Sequence, residues 1–159
     1  MRTVLAALVI TGAVFFLSYC YAEKGRNLEI RDALSGRVYG KLPLDGKGES
    51  AGKGEFSIEF VHSVNQSPVR ETFVVEGRRI RPFSVRFSSF GAGMQSDLEE
   101  GQVLSRDGEA LVITGFKTSF IELNYIVGTV SDHLLIIDNK TISLREICGR
   151  NAHITIRVK

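Results

Sequence analysis

The sequence predicts an all-β domain, an antiparallel sandwich or barrel of roughly ten strands, preceded by an N-terminal hydrophobic export or anchor helix. Three observations lead there. After residue 27, no stretch sustains a 3.6-residue hydrophobic period for three turns. Short apolar runs there alternate with polar residues at period two. Glycine, present 16 times, falls between those runs, where turns are needed. The chain has 159 residues, enough for one domain with its own core, and residues 27–159 are read as that domain.

The N-terminal segment sets the compartment. Arg2 precedes "TVLAALVITGAVFFLSYCYA", residues 3–22, which carries no charge, and Glu23, Lys24 and Arg26 end the run. A basic start, an apolar stretch and a closing small residue describe an export signal. The same run is long enough to cross a bilayer once. Cleavage after Ala22, retention as an anchor and lipid attachment at Cys20 all remain open. Each places the domain outside the cytoplasm, in the periplasm or on the outer face of the cytoplasmic membrane, with Arg2 kept inside. Residues 3–22 would touch the membrane if uncleaved.

The strands follow in order. "LEIRD" (28–32) and "GRVYGKLPL" (36–44) read as the first two, and the glycine-rich "DGKGESAGKGE" (45–55) as a surface loop. Residues 56–64 and 69–76 form a hairpin, and "RRIRPFSVRFSSF" (78–90) returns after Glu76-Gly77. Pro82 in that strand calls for an edge position or a bulge, and Phe83, Val85 and Phe87 continue its inward face. Residues 91–102 read as a long loop with room for one helical turn at 96–100. "VLSRDGEALVITG" (103–115) turns at Asp107-Gly108. "TSFIELNYIVG" (118–128) is a long strand with Ile121, Leu123, Tyr125 and Val127 on one side. "HLLIIDNKTISL" (133–144) is a hairpin with Asn139-Lys140 at its tip, and "AHITIRVK" (152–159) is the last strand, with His153 facing water.

The charge balance does not mark a nucleic-acid binder. There are 20 basic and 18 acidic side chains, for a net charge of +2, and the basic ones are scattered. No Cys/His spacing suits zinc, and no metal or cofactor is expected. With the signal removed, Cys148 is the remaining cysteine and reads as a small buried hydrophobe.

Candidate site residues come from two polar intruders on apolar faces. Phe56, Ile58, Phe60 and Val64 share a strand face with His62, and Val69, Phe73 and Val75 share one with Glu71. An antiparallel register with Asn65–Pro68 as the loop sets Val64 against Val69, Phe60 against Phe73 and His62 against Glu71. Facing β-carbons lie about 4.5–5.5 Å apart, close enough for imidazole and carboxylate to share a hydrogen bond. His62 and Ser63 point to opposite faces of a strand, so they form no nucleophile pair, and no catalytic set is complete. The second candidate is "FSSFGAG", residues 87–93. Its glycines let the backbone turn tightly and approach a neighbour, but the lysine of a phosphate loop is missing. Ser63, Ser89, Phe90, Gly91, Ala92 and Gly93 therefore join His62 and Glu71 as ligand or partner contacts. By the same register reasoning, His133 and Glu146 form a surface ion pair across the later hairpin.

"FSIEFVHSVNQSPVRETFVV" followed by "FSSFGAG" resembles the family called domain of unknown function 1850, on His62, Ser63, Val64, Pro68, Val69, Glu71 and Phe90–Gly93. The likeness covers residues about 55–95. Members are typically encoded beside tripartite ATP-independent periplasmic (TRAP) transporters with a TAXI solute-binding protein. The resemblance thus implies no established chemistry, but an extracytoplasmic accessory or binding module that meets the permease or the solute-binding protein. An envelope hydrolase using His62 and Glu71, and a purely structural envelope protein, are the alternatives.

Overall fold

A computed structural model describes residues 25–44, 54–64, 66–89 and 97–159. Eleven strands are found among them: β1 (Asn27–Asp32), β2 (Val38–Pro43), β3 (Glu55–Val61), β4 (Pro68–Glu76), β5 (Arg79–Phe87), β6 (Val103–Asp107), β7 (Ala110–Thr114), β8 (Glu122–Ile126), β9 (His133–Ile137), β10 (Lys140–Ser143) and β11 (His153–Val158). One short helix, α1 (Leu144–Cys148), joins β10 to β11. The strands make two antiparallel sheets, ordered β2-β1-β11-β8 and β10-β9-β3-β4-β5-β7-β6. The hydrophobic N-terminal segment lies outside the described residues. Within them, no helix is long and apolar enough to cross a membrane.

The two sheets bury one main core, which period-two alternation explains. Leu28 and Ile30 of β1 and Ile154, Ile156 and Val158 of β11 meet Phe56, Ile58, Phe73 and Val75 of β3 and β4. The Phe56 and Phe73 rings stack with centroids 5.2 Å apart. A smaller cluster of Val69, Phe87 and Ile113 lies beyond it, and Phe60 packs against both.

The β3–β4 hairpin keeps its expected faces but not its expected register. Ile58 pairs with Glu71, Phe60 with Val69 and Val61 with Pro68. The strand ends at Val61, His62 N–H bonds to Ser67 O, and Gln66 N–H bonds to His62 O. The turn is thus two residues earlier than the sequence suggested, and Val64 is exposed. The outer face supplies the reason. This register sets Ser57 against Thr72 and Glu59 against Arg70. The two hydroxyls are 3.0 Å apart, and the Arg70–Glu59 ion pair closes at 2.7 Å. The expected register would have set Glu59 against Val74 and forfeited both pairs.

Other elements depart for local reasons. Pro82 marks a bulge rather than an edge: Thr72 pairs with Ser84 and Phe73 with Pro82, so Phe83 is the extra residue and turns outward, 48% exposed. β8 is shorter than expected, and Ile121 is exposed because the chain bends there, after a single bridge between Phe120 and Ile80. Residues 97–101 form bends and turns, not a helical turn. The β9–β10 turn is Asp138-Asn139, both at positive φ, rather than Asn139-Lys140. Leu135 then faces Ile142, and Glu146 lies in α1, away from the strand ladder. Ser143 caps that helix by accepting from Glu146 N–H, while Asp132 accepts from Ser143 Oγ and Arg145 N–H. The His133–Glu146 pair therefore does not form. Cys148 is half-buried, and burial pushes its thiol up to about 11.

Candidate functional site

Glu71 sits on a rung that is otherwise aliphatic. Reading across the large sheet, Leu135, Ile58, Glu71, Val85 and Ile113 are successive register partners. Leu135 and Ile58 are fully buried and Ile113 nearly so. Glu71 is flanked along its strand by Val69 of the small cluster and Phe73 of the main core, so it marks the seam between them. A carboxyl there loses water and needs a partner. The partner comes from the other sheet: Tyr125 of β8 donates its hydroxyl to Glu71 Oε2 at 2.5 Å. Burial raises the Glu71 pKa, and the tyrosine hydrogen bond offsets this only in part. The Tyr125 hydroxyl is itself pushed well above the usual phenol value, by burial first and then by the Glu71 charge.

A cavity of about 350 Å³ opens on this pair, walled by Phe73, Phe116, Phe120 and Leu123. It lies along β8, the edge strand of the small sheet.

His133 stands on the next inward rung, directly opposite Phe60. Their rings stack with centroids 4.9 Å apart, and Tyr125 meets His133 edge-on at 6.0 Å. Nδ1 of His133 accepts from Gly128 N–H at 3.2 Å, so the neutral ring carries its proton on Nε2. Burial lowers the His133 pKa, Asp132 pulls it back up by less, and Arg145 adds to the lowering. Gly128 cannot be enlarged here, because a Cβ would lie 2.5 Å from Ser131 O.

His133 lines a second cavity, of about 470 Å³, together with His62, Ser63, Gln66 and Ser131. The β3–β4 turn supplies His62 and Ser63, and the chain between β8 and β9 closes the other side. Ser131 Oγ ties the two by accepting from Val61 N–H at 2.9 Å. A larger depression, about 630 Å³, lies on the outer face of the large sheet. Four of its charged residues are engaged with one another as the Arg70–Glu59 and Arg86–Asp107 ion pairs, and Glu109 lies at its rim.

The candidate residues are thus divided between sites. His62 and Ser63 line one cavity and Glu71 the other. His62 faces Ser67, four residues before Glu71, which is about 13 Å along the strand. The expected His62–Glu71 contact is replaced by Glu71–Tyr125. Ser89 is exposed just past β5, and Phe90, Gly91, Ala92 and Gly93 lie outside the described residues. Sequence reasoning did not single out Tyr125, and it gave His133 the wrong neighbour.

A family model described as a domain of unknown function, DUF1850, matches residues 56–144. The chain belongs to this family. No curated protein and no solved structure matches it. The DUF1850 match spans both cavities and every side chain that the Glu71–Tyr125 and His62–His133 sites use.

Proposed function

We propose that this DUF1850 chain is an extracytoplasmic binding or interaction module, delivered or anchored by residues 1–22, that assists a TRAP transporter through its permease or solute-binding protein. The observation that supports the reading best is where the motif residues lie. His62 and Ser63 line an accessible cavity beside His133 instead of filling the core. Side chains held for packing would be covered, whereas these are presented at the mouth of a turn, where a partner can reach them. The uncharged run before the domain supports export, and the family resemblance supports the transporter. A hydrolase working through His62 and Glu71 as one acid–base pair fits poorly, since the two are separated along the strand and Glu71 is engaged by Tyr125.

The test is a photo-crosslinker at Ser63 in the full chain, in membranes of the native host. A covalent adduct with the permease or solute-binding protein is expected, together with lower solute uptake for His62→Ala at an unchanged melting temperature. Capture of no transporter component, with uptake unchanged, would end the proposal. If His62→Ala lowers the melting temperature and uptake in parallel, the structural reading takes its place.

A further inference from the structure

The geometry points to a binding site for a small organic cation in the cavity beside Glu71 and Tyr125: an ammonium group set against the carboxylate, with its apolar body among the aromatic rings. This is a different cavity from the one lined by His62, and the inference does not depend on the transporter reading.

Four observations lead to this class of ligand. Glu71 is the one charged residue among the described residues that line the cavity. Among the described residues no lysine, arginine or histidine forms an ion pair with it, although five other carboxylates, Glu29, Glu59, Glu76, Glu100 and Asp107, do have such partners. Tyr125 occupies Oε2, which leaves Oε1 without a donor from the described residues. The walls are mostly rings and branched aliphatics, Phe73, Phe116, Phe120, Val85 and Leu123, and the Oδ1 of the polar Asn124 is already taken by the Thr155 hydroxyl. Ring faces attract a cation that has shed its water, and they do so best when a carboxylate completes the site.

Competing ligand classes fail on the same facts. An anion would meet the carboxylate with no positive group to offset it. A wholly apolar ligand would cover Oε1 and leave it unsatisfied. A metal ion would find one carboxylate and almost no other oxygen donors, too few to replace its hydration shell. The volume, about 350 Å³, is at the low end of small-molecule sites, which restricts the ligand to a short one. The raised Glu71 pKa fits a carboxyl whose charge the fold itself leaves uncompensated.

The test is calorimetric titration of the full chain with phenethylammonium and tetramethylammonium, using phenylethanol as the neutral counterpart and phenylacetate as the anion. At pH 7, phenethylammonium should bind at least about tenfold tighter than phenylethanol, and phenylacetate should show no saturation. Glu71→Gln should bring phenethylammonium down to the phenylethanol level. Phe120→Ala, at a ring already 40% exposed, should weaken both cations without unfolding the domain. If neither cation saturates, if cation and alcohol bind alike, or if Glu71→Gln keeps the preference, the inference is wrong. Should Glu71→Gln fail to fold, the cation–alcohol comparison on the unmodified chain and on Phe120→Ala still decides.

Discussion

Two shielded glutamates, one in each sheet, show how neighbours decide what a carboxylate is for. Glu29 lies on the outer face of the small sheet, with its side chain only 5% exposed. Its register partners are Lys41 on β2 and Arg157 on β11. Arg157 closes to 2.9 Å, and Arg31 and Lys41 approach to 3.5 and 3.6 Å. Burial alone would raise the Glu29 pKa, but the Arg157 hydrogen bond and the three cations outweigh it, and the pKa falls. Glu71, on the inner face of the large sheet, has one hydroxyl and no cation among the described residues, and its pKa rises. The first carboxylate is satisfied by strands that the fold had to pair anyway. The second is held at the core seam with its charge unanswered, facing a cavity. A carboxylate left without a cation in this way is the feature on which the proposed cation site rests.

The comparison is most easily broken one residue away from Glu71. Ile58 faces Glu71 on the same rung and is fully buried, with no cavity to receive a charge. Ile58→Glu should cost at least about 4 kcal/mol and leave no cooperative melt. A stable Ile58→Glu would mean that the Glu71 position is nothing special. Next in size is Tyr125→Phe, which strips Glu71 of its hydrogen bond and should cost about 1–3 kcal/mol in denaturant unfolding. In a Glu71→Gln background that cost should shrink, and the double-mutant cycle isolates the coupling. Glu29→Gln should lose less, about 1–2 kcal/mol at pH 7, because its partners lie at the surface where water and salt screen them.

The smallest effect is the most discriminating, because the two glutamates have opposite signs. The folded pKa of Glu71 lies above the ordinary 4.5. Its contribution therefore favours folding below that value and is lost as pH rises through the folded pKa. The folded pKa of Glu29 lies below 4.5, so its contribution is present above that value and lost as pH falls through the folded pKa. Glu71→Gln should accordingly melt higher than the parent at pH 7, with the gain disappearing below pH 4.5. Glu29→Gln should melt lower at pH 7, with the deficit closing in acid. Melting curves of both variants from pH 7 down to pH 3 test this, and parallel shifts of the same sign would contradict it.

Much of the fold was legible. Alternation told which residues of β3, β4 and β11 face inward, and the hairpins at 103–115 and 133–144 were found close to where they turn. The hairpin registers were not. The apolar faces of β3 and β4 match in any register displaced by two residues per strand, because parity alone keeps Phe56, Ile58 and Phe60 inside. The discriminating signal was on the other face, where Ser57 meets Thr72 and Glu59 meets Arg70. The β9–β10 turn was misplaced because both Asp138 and Asn139 accept positive φ, an option that the Asn-Lys pair obscured.

What the sequence by itself determined is the class of the domain, the inward faces of β3, β4 and β11, the family and the unusual presence of an acid at Glu71. These are local properties, set by side-chain period and residue type along a few consecutive positions. Only the tertiary structure decided that Tyr125, 54 positions away and in the other sheet, would take Glu71 as its acceptor. It alone brought His133 beside His62 and gave each group its own cavity. The physical reason is that sheet-to-sheet contacts depend on how two layers stack, and no pattern within a single strand records that stacking.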